Sequence, residues 1–172
     1  MGEFDAGHFN TFAASRRSTR DFLPTPVPRE VIEEIIAAGL TSPSWSNTRP
    51  FVVAVAEGEV RDRLSAEFLS RFELVKTGQG EGVFGKIKAL IRRKGLPTSN
   101  WLVLKRYHKD LLPRSQRIGK ELFTQMGIDR DDKDARDRFW ARNYEFFGAP
   151  VELFLFTHKS LGKFAASDAG LF

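Results

Sequence analysis

The sequence contains no cysteine, only three histidines and no long apolar run. The absence of cysteine excludes disulfides, thiolate nucleophiles and cysteine-based metal sites. The histidines, His8, His108 and His158, are scattered without the spacing of metal ligands. The longest apolar runs, such as residues 51–56, are far too short to cross a bilayer. We therefore expect no metal centre and no membrane association.

The N-terminal residues lack both the basic region and the apolar core of a secretory signal, so we expect an intracellular, cytoplasmic protein. A length of 172 residues suits one domain, and 16 Phe and three Trp indicate a folded globule. The net charge of +5 favours anionic small ligands such as phosphates. A solvated basic surface explains the same charge, and no nucleic-acid motif accompanies it.

Apolar residues at helical spacing predict several helices, and two apolar runs predict strands. The predicted helices cover residues 5–15, a segment opened by Pro28 and closed by Gly39, residues 60–75, a stripe from Ile118 to Met126 closed by Gly127, and residues 129–147. The predicted strands are residues 51–56, of the continuously apolar, buried type, and residues 151–157. Two strands far apart in sequence among many helices indicate an α+β fold.

A cationic segment, Arg-Arg-Ser-Thr-Arg at residues 16–20, follows the first predicted helix and is called the arginine segment below. In an extended chain Arg16, Ser18 and Arg20 point to the same side, because side chains alternate between faces. Two forked guanidinium groups and a hydroxyl can then bind one anion, and arginine binds phosphate bidentately. The alternative is a solvated basic turn.

A polar loop at residues 42–50, called the 42–50 loop below, connects a predicted helix to a predicted strand. Such connections often carry binding residues. The amide of Asn47 offers donors and an acceptor that match the edge of a flavin ring, and Trp45 can cover an aromatic ligand. The alternative is an ordinary helix-to-strand connection that happens to be polar.

Together the two motifs resemble the nitroreductase family. The pattern Arg-Arg-Ser-x-Arg-x-Phe, a proline-rich link, an apolar helix and Pro-Ser-x-x-Asn-x-x-Pro before a strand match it in order and spacing. The stretches at residues 142–150 and 167–172 are similar to later parts of that family. The resemblance covers nearly the whole chain, and the two motifs are specific only in combination.

The resemblance implies a central mixed or antiparallel sheet surrounded by helices, in a homodimer with FMN at the subunit interface. It implies that residues of the arginine segment hold the FMN phosphate and the pyrimidine side of the ring, and that the 42–50 loop reaches the flavin of the partner subunit. The implied cofactor-binding residues are Arg16, Arg17, Ser18, Arg20, Pro43, Ser44 and Asn47.

The activity that the resemblance implies is transfer of hydride from NADH or NADPH through FMN to a nitroaromatic, a quinone or a similar small-molecule acceptor. No side chain needs to act as a nucleophile, because the flavin carries the chemistry. The alternative is a non-catalytic flavin-binding or ligand-binding protein on the same scaffold.

Two features depart from the family pattern. Arg49 stands where the family usually has Gln; this cation either favours a carboxylated or phosphorylated substrate or faces solvent. The sequence also stops at Phe172, within the expected core helix. We therefore expect residues 1–172 to form a single domain that lacks its C-terminal part.

Three other patterns suggest rival functions and are weak. The Gly-x-Gly-x-x-Gly at residues 80–85 follows a predicted helix and has basic residues where a dinucleotide site needs an acid, so we interpret it as a flexible loop. The basic run at residues 86–94 suits a solvated helix face better than a nucleic-acid or membrane surface. Ser18 lies between cations and outside any nucleophile elbow, which argues against a hydrolase.

Overall fold

A computed structural model describes residues 5–80, 107–129 and 131–172, with side chains in helix α3 described as far as residue 76. The helices are α1 (Ala6–Ser15), α2 (Arg29–Gly39), α3 (Gly58–Gly80), α4 (Leu112–Gln125), α5 (Lys133–Ala141) and α6 (Lys163–Leu171), and the strands are β1 (Val52–Glu57) and β2 (Val151–Phe156). Short 3-10 turns lie at Trp45–Asn47, Phe146–Gly148 and Lys159–Leu161. The predicted α+β class is confirmed.

Local capping explains where three of the helices begin. The Asp5 carboxylate accepts the N–H of Gly7 at 2.7 Å and begins α1. Pro28, with φ −57° and no N–H, precedes α2. The Asp132 carboxylate accepts the N–H of Ala135 at 2.8 Å and begins α5. These caps agree with the predicted starts of the first two helices to within a residue.

The charged helix predicted at residues 129–147 is much shorter in the structure. Asp132 delays its start, and α5 ends at Ala141. Phe146 and Phe147 then adopt φ of 54° and 53°, a left-handed conformation that no α-helix can contain. The helix predicted at residues 60–75 is longer in the structure, because α3 extends from Gly58 to Gly80. The predictions for residues 81–106 lie outside the described residues.

The sheet pairs β1 antiparallel to β2, with Val52 opposite Phe156 and Glu57 opposite Val151. Within the described parts of the chain the sheet has these two strands alone. The buried character expected for the first strand is not found, since Val52 is 64% exposed and Val55 is 42% exposed. Among the described residues, neither face of β1 is fully covered by a packed layer, so apolar side chains on both faces stay partly exposed.

The core lies where α3 packs against the sheet and the turn at Phe146–Gly148. The rings of Phe68, Phe146 and Phe154 meet edge to face with centroids 6.0–6.3 Å apart. The largely buried Arg61 donates through Nε to the Ala149 carbonyl at 3.0 Å and lies 5.4 Å from the centroid of Phe146. This cluster joins the turn before β2 to α3.

Large apolar side chains nevertheless remain exposed over much of the described chain. Phe12 is 76% exposed on α1, and Leu23 is 78% exposed in the following link. Exposed apolar surface on this scale indicates faces that need another covering surface. The described helices include none with the length and apolarity that a membrane span requires.

Candidate functional site

The arginine segment directly follows α1 and has no regular secondary structure. Arg16 donates through Nη1 to the Ser18 hydroxyl at 3.4 Å, so these two side chains lie together. Arg20 is exposed and forms no hydrogen bond or ion pair with a described residue. The segment therefore presents guanidinium groups and a hydroxyl to solvent, which is the donor set that a phosphate needs.

Arg17 differs from its neighbours in the arginine segment. Its Nη1 donates to three carbonyl oxygens at the end of α1, those of Ala14 (3.0 Å), Ser15 (3.1 Å) and Arg16 (3.1 Å). A cation at a helix C-terminus satisfies carbonyls that have no partner within the helix. Only the remaining N–H groups of Arg17 are free for a ligand in this arrangement.

The chain is anchored directly after the arginine segment. The N–H of Phe22 donates to the carbonyl of Phe147 at 3.1 Å, and Arg142 Nη2 lies 2.7 Å from Asp21 Oδ1. Gly148 has φ of 80°, and a Cβ at this position would lie 3.4 Å from the Phe22 carbonyl oxygen. The turn that ends at Gly148 thus holds one end of the segment.

The 42–50 loop contains a 3-10 turn at Trp45–Asn47 and an unusual backbone. Ser46, Asn47 and Arg49 have φ of 51°, 52° and 44°, in the left-handed region that residues with a Cβ rarely adopt. The Ser44 hydroxyl accepts the N–H of Arg49 at 2.9 Å and closes the loop. Clustered strain of this kind is commonly found at ligand-binding sites.

Helix α6 supports the 42–50 loop from one side. Both carboxylate oxygens of Asp168 lie 3.1 Å from the backbone nitrogen of Trp45. The Trp45 ring stacks on Phe164 with centroids 3.9 Å apart and an angle of 16° between the planes. The Ser42 hydroxyl donates to the Leu171 carbonyl at 2.8 Å. Sequence reasoning missed Asp168, because a carboxylate in a helix usually marks an exposed face.

The side chains of Asn47 and Arg49 are joined within the loop. Arg49 Nε donates to Asn47 Oδ1 at 3.3 Å, so the amide oxygen of Asn47 faces the guanidinium group. The amide nitrogen of Asn47 is left to donate to a ligand. Of the other loop residues predicted to bind, Pro43 is exposed and Ser44 is half-buried.

The structure groups the predicted residues into two separate clusters. Between described residues, no hydrogen bond or ion pair connects the arginine segment to the 42–50 loop. A cavity of about 600 Å³ lies elsewhere, lined by residues that follow α4, by α5 and by the turn after it, including Ile128, Phe139 and Arg142. No predicted binding residue lines that cavity. The exposed cations of the first cluster and the strained loop of the second are the features that suit an anionic aromatic cofactor.

The helices and the antiparallel sheet place the chain among α+β proteins. Sequence comparison identifies the family. Residues 13–171 match the profile of the nitroreductase family. The chain belongs to this family.

Individual relatives match over most of this chain. The 4-nitrobenzoate reductase of Pseudomonas putida is 33% identical over 164 residues, which are 95% of this chain and 63% of that protein. The nitrobenzene nitroreductase of Ectopseudomonas oleovorans is 30% identical over 138 residues, which are 80% of this chain and 53% of that protein. The chain thus spans less than two thirds of the length of either relative.

A solved structure has a similar fold. The crystal structure of the FMN-dependent nitroreductase NfnB from Mycobacterium smegmatis in complex with NADPH aligns with a TM-score of 0.74 and 27% identity. The alignment covers 96% of this chain and 66% of NfnB. The nitroreductase-like fold implied by the motifs is therefore confirmed.

Proposed function

We propose that the protein is an FMN-dependent oxidoreductase that transfers hydride from NAD(P)H through the flavin to nitroaromatics, quinones or similar acceptors. The observation that carries the proposal is the presence of an exposed arginine and hydroxyl cluster and of a strained, anchored loop in a chain of the nitroreductase family. The FMN and NADPH named for the NfnB structure support the choice of cofactor and hydride donor.

The arginine segment is the proposed site of the FMN phosphate. Arg16 and Ser18 already lie side by side, and Arg20 has no described partner that a phosphate would have to displace. Arg17 contributes charge from the end of α1, with part of its guanidinium group occupied. These cations also stabilise negative charge on the reduced cofactor.

The 42–50 loop is the proposed contact to the isoalloxazine ring. Asn47 donates from its amide nitrogen to a ring carbonyl, while Pro43 and Ser44 shape the backbone beside it. Bound FMN supplies the redox chemistry, accepting hydride from NAD(P)H and passing electrons to the acceptor. The chain's own residues bind and orient the cofactor, and no side chain serves as a nucleophile.

The proposed assembly is a homodimer in which each 42–50 loop serves the flavin of the other subunit. Two observations support it: no polar contact between described residues connects the arginine segment to the loop, and Phe9 and Phe12 of α1 are 55% and 76% exposed. A partner surface over α1 would remove this apolar area from water. Dependence on NAD(P)H is consistent with the expected cytoplasmic location, and residues 1–172 are proposed to belong to one domain.

Rapid anaerobic mixing tests the proposed reaction. We expect NADH or NADPH to bleach the flavin band of the full-length protein faster than that of free FMN. A nitroaromatic or a quinone should then restore the band. Steady-state kinetics should give parallel double-reciprocal lines, because one open site serves both substrates in turn. Flavin that binds but is bleached no faster than free FMN would instead assign a flavin-binding protein without this activity.

A further inference from the structure

Asp168 is a buried carboxylate for which the proposed reaction has no direct use. Its residue is only 3% exposed, and its described hydrogen-bond donor is the backbone N–H of Trp45. No cation lies within ion-pair distance of it among the described residues. Burial of a carboxylate without a cationic partner is costly, so the role of Asp168 has to be sought in its hydrogen bond to Trp45.

Three residues on one face of α6 contact the 42–50 loop. Phe164, Asp168 and Leu171 are spaced at i, i+4 and i+7, which places them along the same side of the helix. Their partners are Trp45 for the first two and Ser42 for the third. The helix thus fixes the first half of the loop through a ring stack and two hydrogen bonds.

The contact to Asp168 lies where the strained part of the loop begins. Trp45 is the first residue of the 3-10 turn that ends at Asn47, and the left-handed residues follow it directly. Such a backbone persists only when surrounding contacts determine it. A hydrogen bond to a buried carboxylate is stronger than one to a neutral acceptor, and it holds the N–H at the start of this turn.

We propose that Asp168 is a positioning residue for flavin binding: by holding the backbone of Trp45, it sets the turn from which Asn47 reaches the cofactor. This inference rests on the proposed function. Asp168 acts through the loop backbone and has no contact with the flavin. The carboxylate is needed, because an asparagine at this position has one oxygen and no charge with which to accept the Trp45 N–H.

The test compares Asp168→Asn and Asp168→Ala in the full-length protein with a matched carboxylate variant, Asp137→Asn. Asp137 is also largely buried, with 20% of its side chain exposed, but it lies on α5 and pairs with Lys76 at 3.3 Å. Three properties are measured for each variant: FMN affinity by titration of apoprotein, the visible circular dichroism of bound flavin, and amide hydrogen exchange across residues 42–50.

We expect Asp168→Ala to weaken FMN binding about tenfold and Asp168→Asn about threefold. Both should change the flavin circular dichroism and speed exchange in the loop. Asp137→Asn should lower thermal stability while leaving these three properties as in the wild type. Because asparagine has nearly the volume of aspartate, a loss in Asp168→Asn checks that hydrogen-bond strength, and not side-chain volume, sets the effect. If Asp168→Ala fails to fold, Asp168→Asn alone decides.

Wild-type affinity and an unchanged flavin spectrum in a folded Asp168→Asn variant would overturn the positioning role. Faster loop exchange with unchanged flavin properties would do the same, since the anchor would then serve stability alone. If wild-type protein itself binds no FMN, the proposed function fails and the flavin role of Asp168 fails with it. Hydrogen exchange would in that case still report whether Asp168 anchors the loop.

Discussion

The arginine segment and the 42–50 loop are organised in opposite ways, although both are proposed to bind the same cofactor. Arg16, Ser18 and Arg20 are exposed, and Arg17 bonds to the adjoining end of α1. Contacts to parts of the fold that are distant in sequence begin at Asp21 and Phe22. The loop, in contrast, is fixed on α6 by a ring stack and hydrogen bonds and is closed internally by Ser44. The loop is thus held in shape by contacts within the protein, whereas the arginine segment is exposed to solvent.

The charges of the two regions explain this difference. Three arginines within five residues repel one another, which disfavours close packing of their guanidinium groups. In the proposed site a bound phosphate would offset that repulsion. In the proposed site the loop presents the Asn47 amide in a fixed direction, and a fixed direction requires contacts that exist before the ligand binds. In this proposal the arginine segment contributes electrostatic attraction, and the 42–50 loop contributes a preorganised geometry.

The largest effect on FMN affinity is expected from Arg20→Ala, which tests the role proposed for the arginine segment. Losing a charge-assisted contact to phosphate costs roughly 1.5–3 kcal/mol, so FMN affinity should fall about tenfold to a hundredfold. The loss should shrink as salt concentration rises, because exposed charges are screened. Fluorescence titration of apoprotein at several salt concentrations measures both.

Arg29→Ala is the control for this experiment. Arg29 is also exposed but pairs with Glu33 on α2 at 2.7 Å, which raises the pKa of Arg29 through the hydrogen bond and the opposite charge. Its removal should leave FMN affinity unchanged. Equal losses in the two variants would mean that overall charge, and not a phosphate site at Arg20, attracts the cofactor.

Sequence reasoning predicted the elements whose signals are local. The first predicted helix, residues 5–15, and both strands agree with Ala6–Ser15, Val52–Glu57 and Val151–Phe156 to within a residue at each end. Apolar periodicity and capping residues involve only a few neighbouring positions, so they can be recognised in a single sequence. The end of α5 was not predictable in this way, because the left-handed backbone at Phe146 and Phe147 leaves no mark on apolar spacing.

The two site motifs were found from the sequence, but their supports were not. Asp168 lies 123 residues beyond Trp45, and Arg142 lies 121 residues beyond Asp21. Contacts over such distances depend on the packing of whole elements, which residue spacing does not encode. The motifs themselves remain predictions as binding sites, with Arg17 partly committed to the end of α1.

The variant Gly39→Ala is expected to disturb the packing at the end of α6, the helix that supports the 42–50 loop. A Cβ on Gly39 would lie 2.7 Å from two ring atoms of Phe172, next to the end of α6. Overpacking typically costs 1–3 kcal/mol, whereas replacing glycine by alanine in a helix gains at most about 1 kcal/mol. We therefore expect a net loss of about 1 kcal/mol and a fall in Tm of a few degrees, measured by thermal unfolding.

Gly119→Ala in α4 separates the cost of overpacking from the gain in helix propensity. No atom lies within 4 Å of a Cβ at Gly119, so only the gain in helix propensity applies and Tm should rise. If both variants raise Tm, the Phe172 ring moves aside without cost, and the junction between α2 and α6 is looser than the contact indicates.

The smallest effect is expected at the anchor of the arginine segment, the ion pair between Asp21 and Arg142. Its N–O distance is 2.7 Å, but the Asp21 side chain is 85% exposed, and exposed pairs are worth about 0–1 kcal/mol. The backbone bond from Phe22 to Phe147 also survives its loss.

Two single variants distinguish anchoring from charge at this ion pair. Arg142→Ala removes both the anchor and a positive charge, so FMN affinity should fall about threefold by titration. Asp21→Asn removes the same anchor, which weakens binding, but also removes a negative charge beside the proposed phosphate site, which strengthens it. Because these effects oppose each other, FMN affinity should change less than in Arg142→Ala. If the two variants weaken binding equally, anchoring alone matters. If Asp21→Asn strengthens binding by as much as Arg142→Ala weakens it, the local field decides, and the arginine segment binds phosphate without needing its anchor.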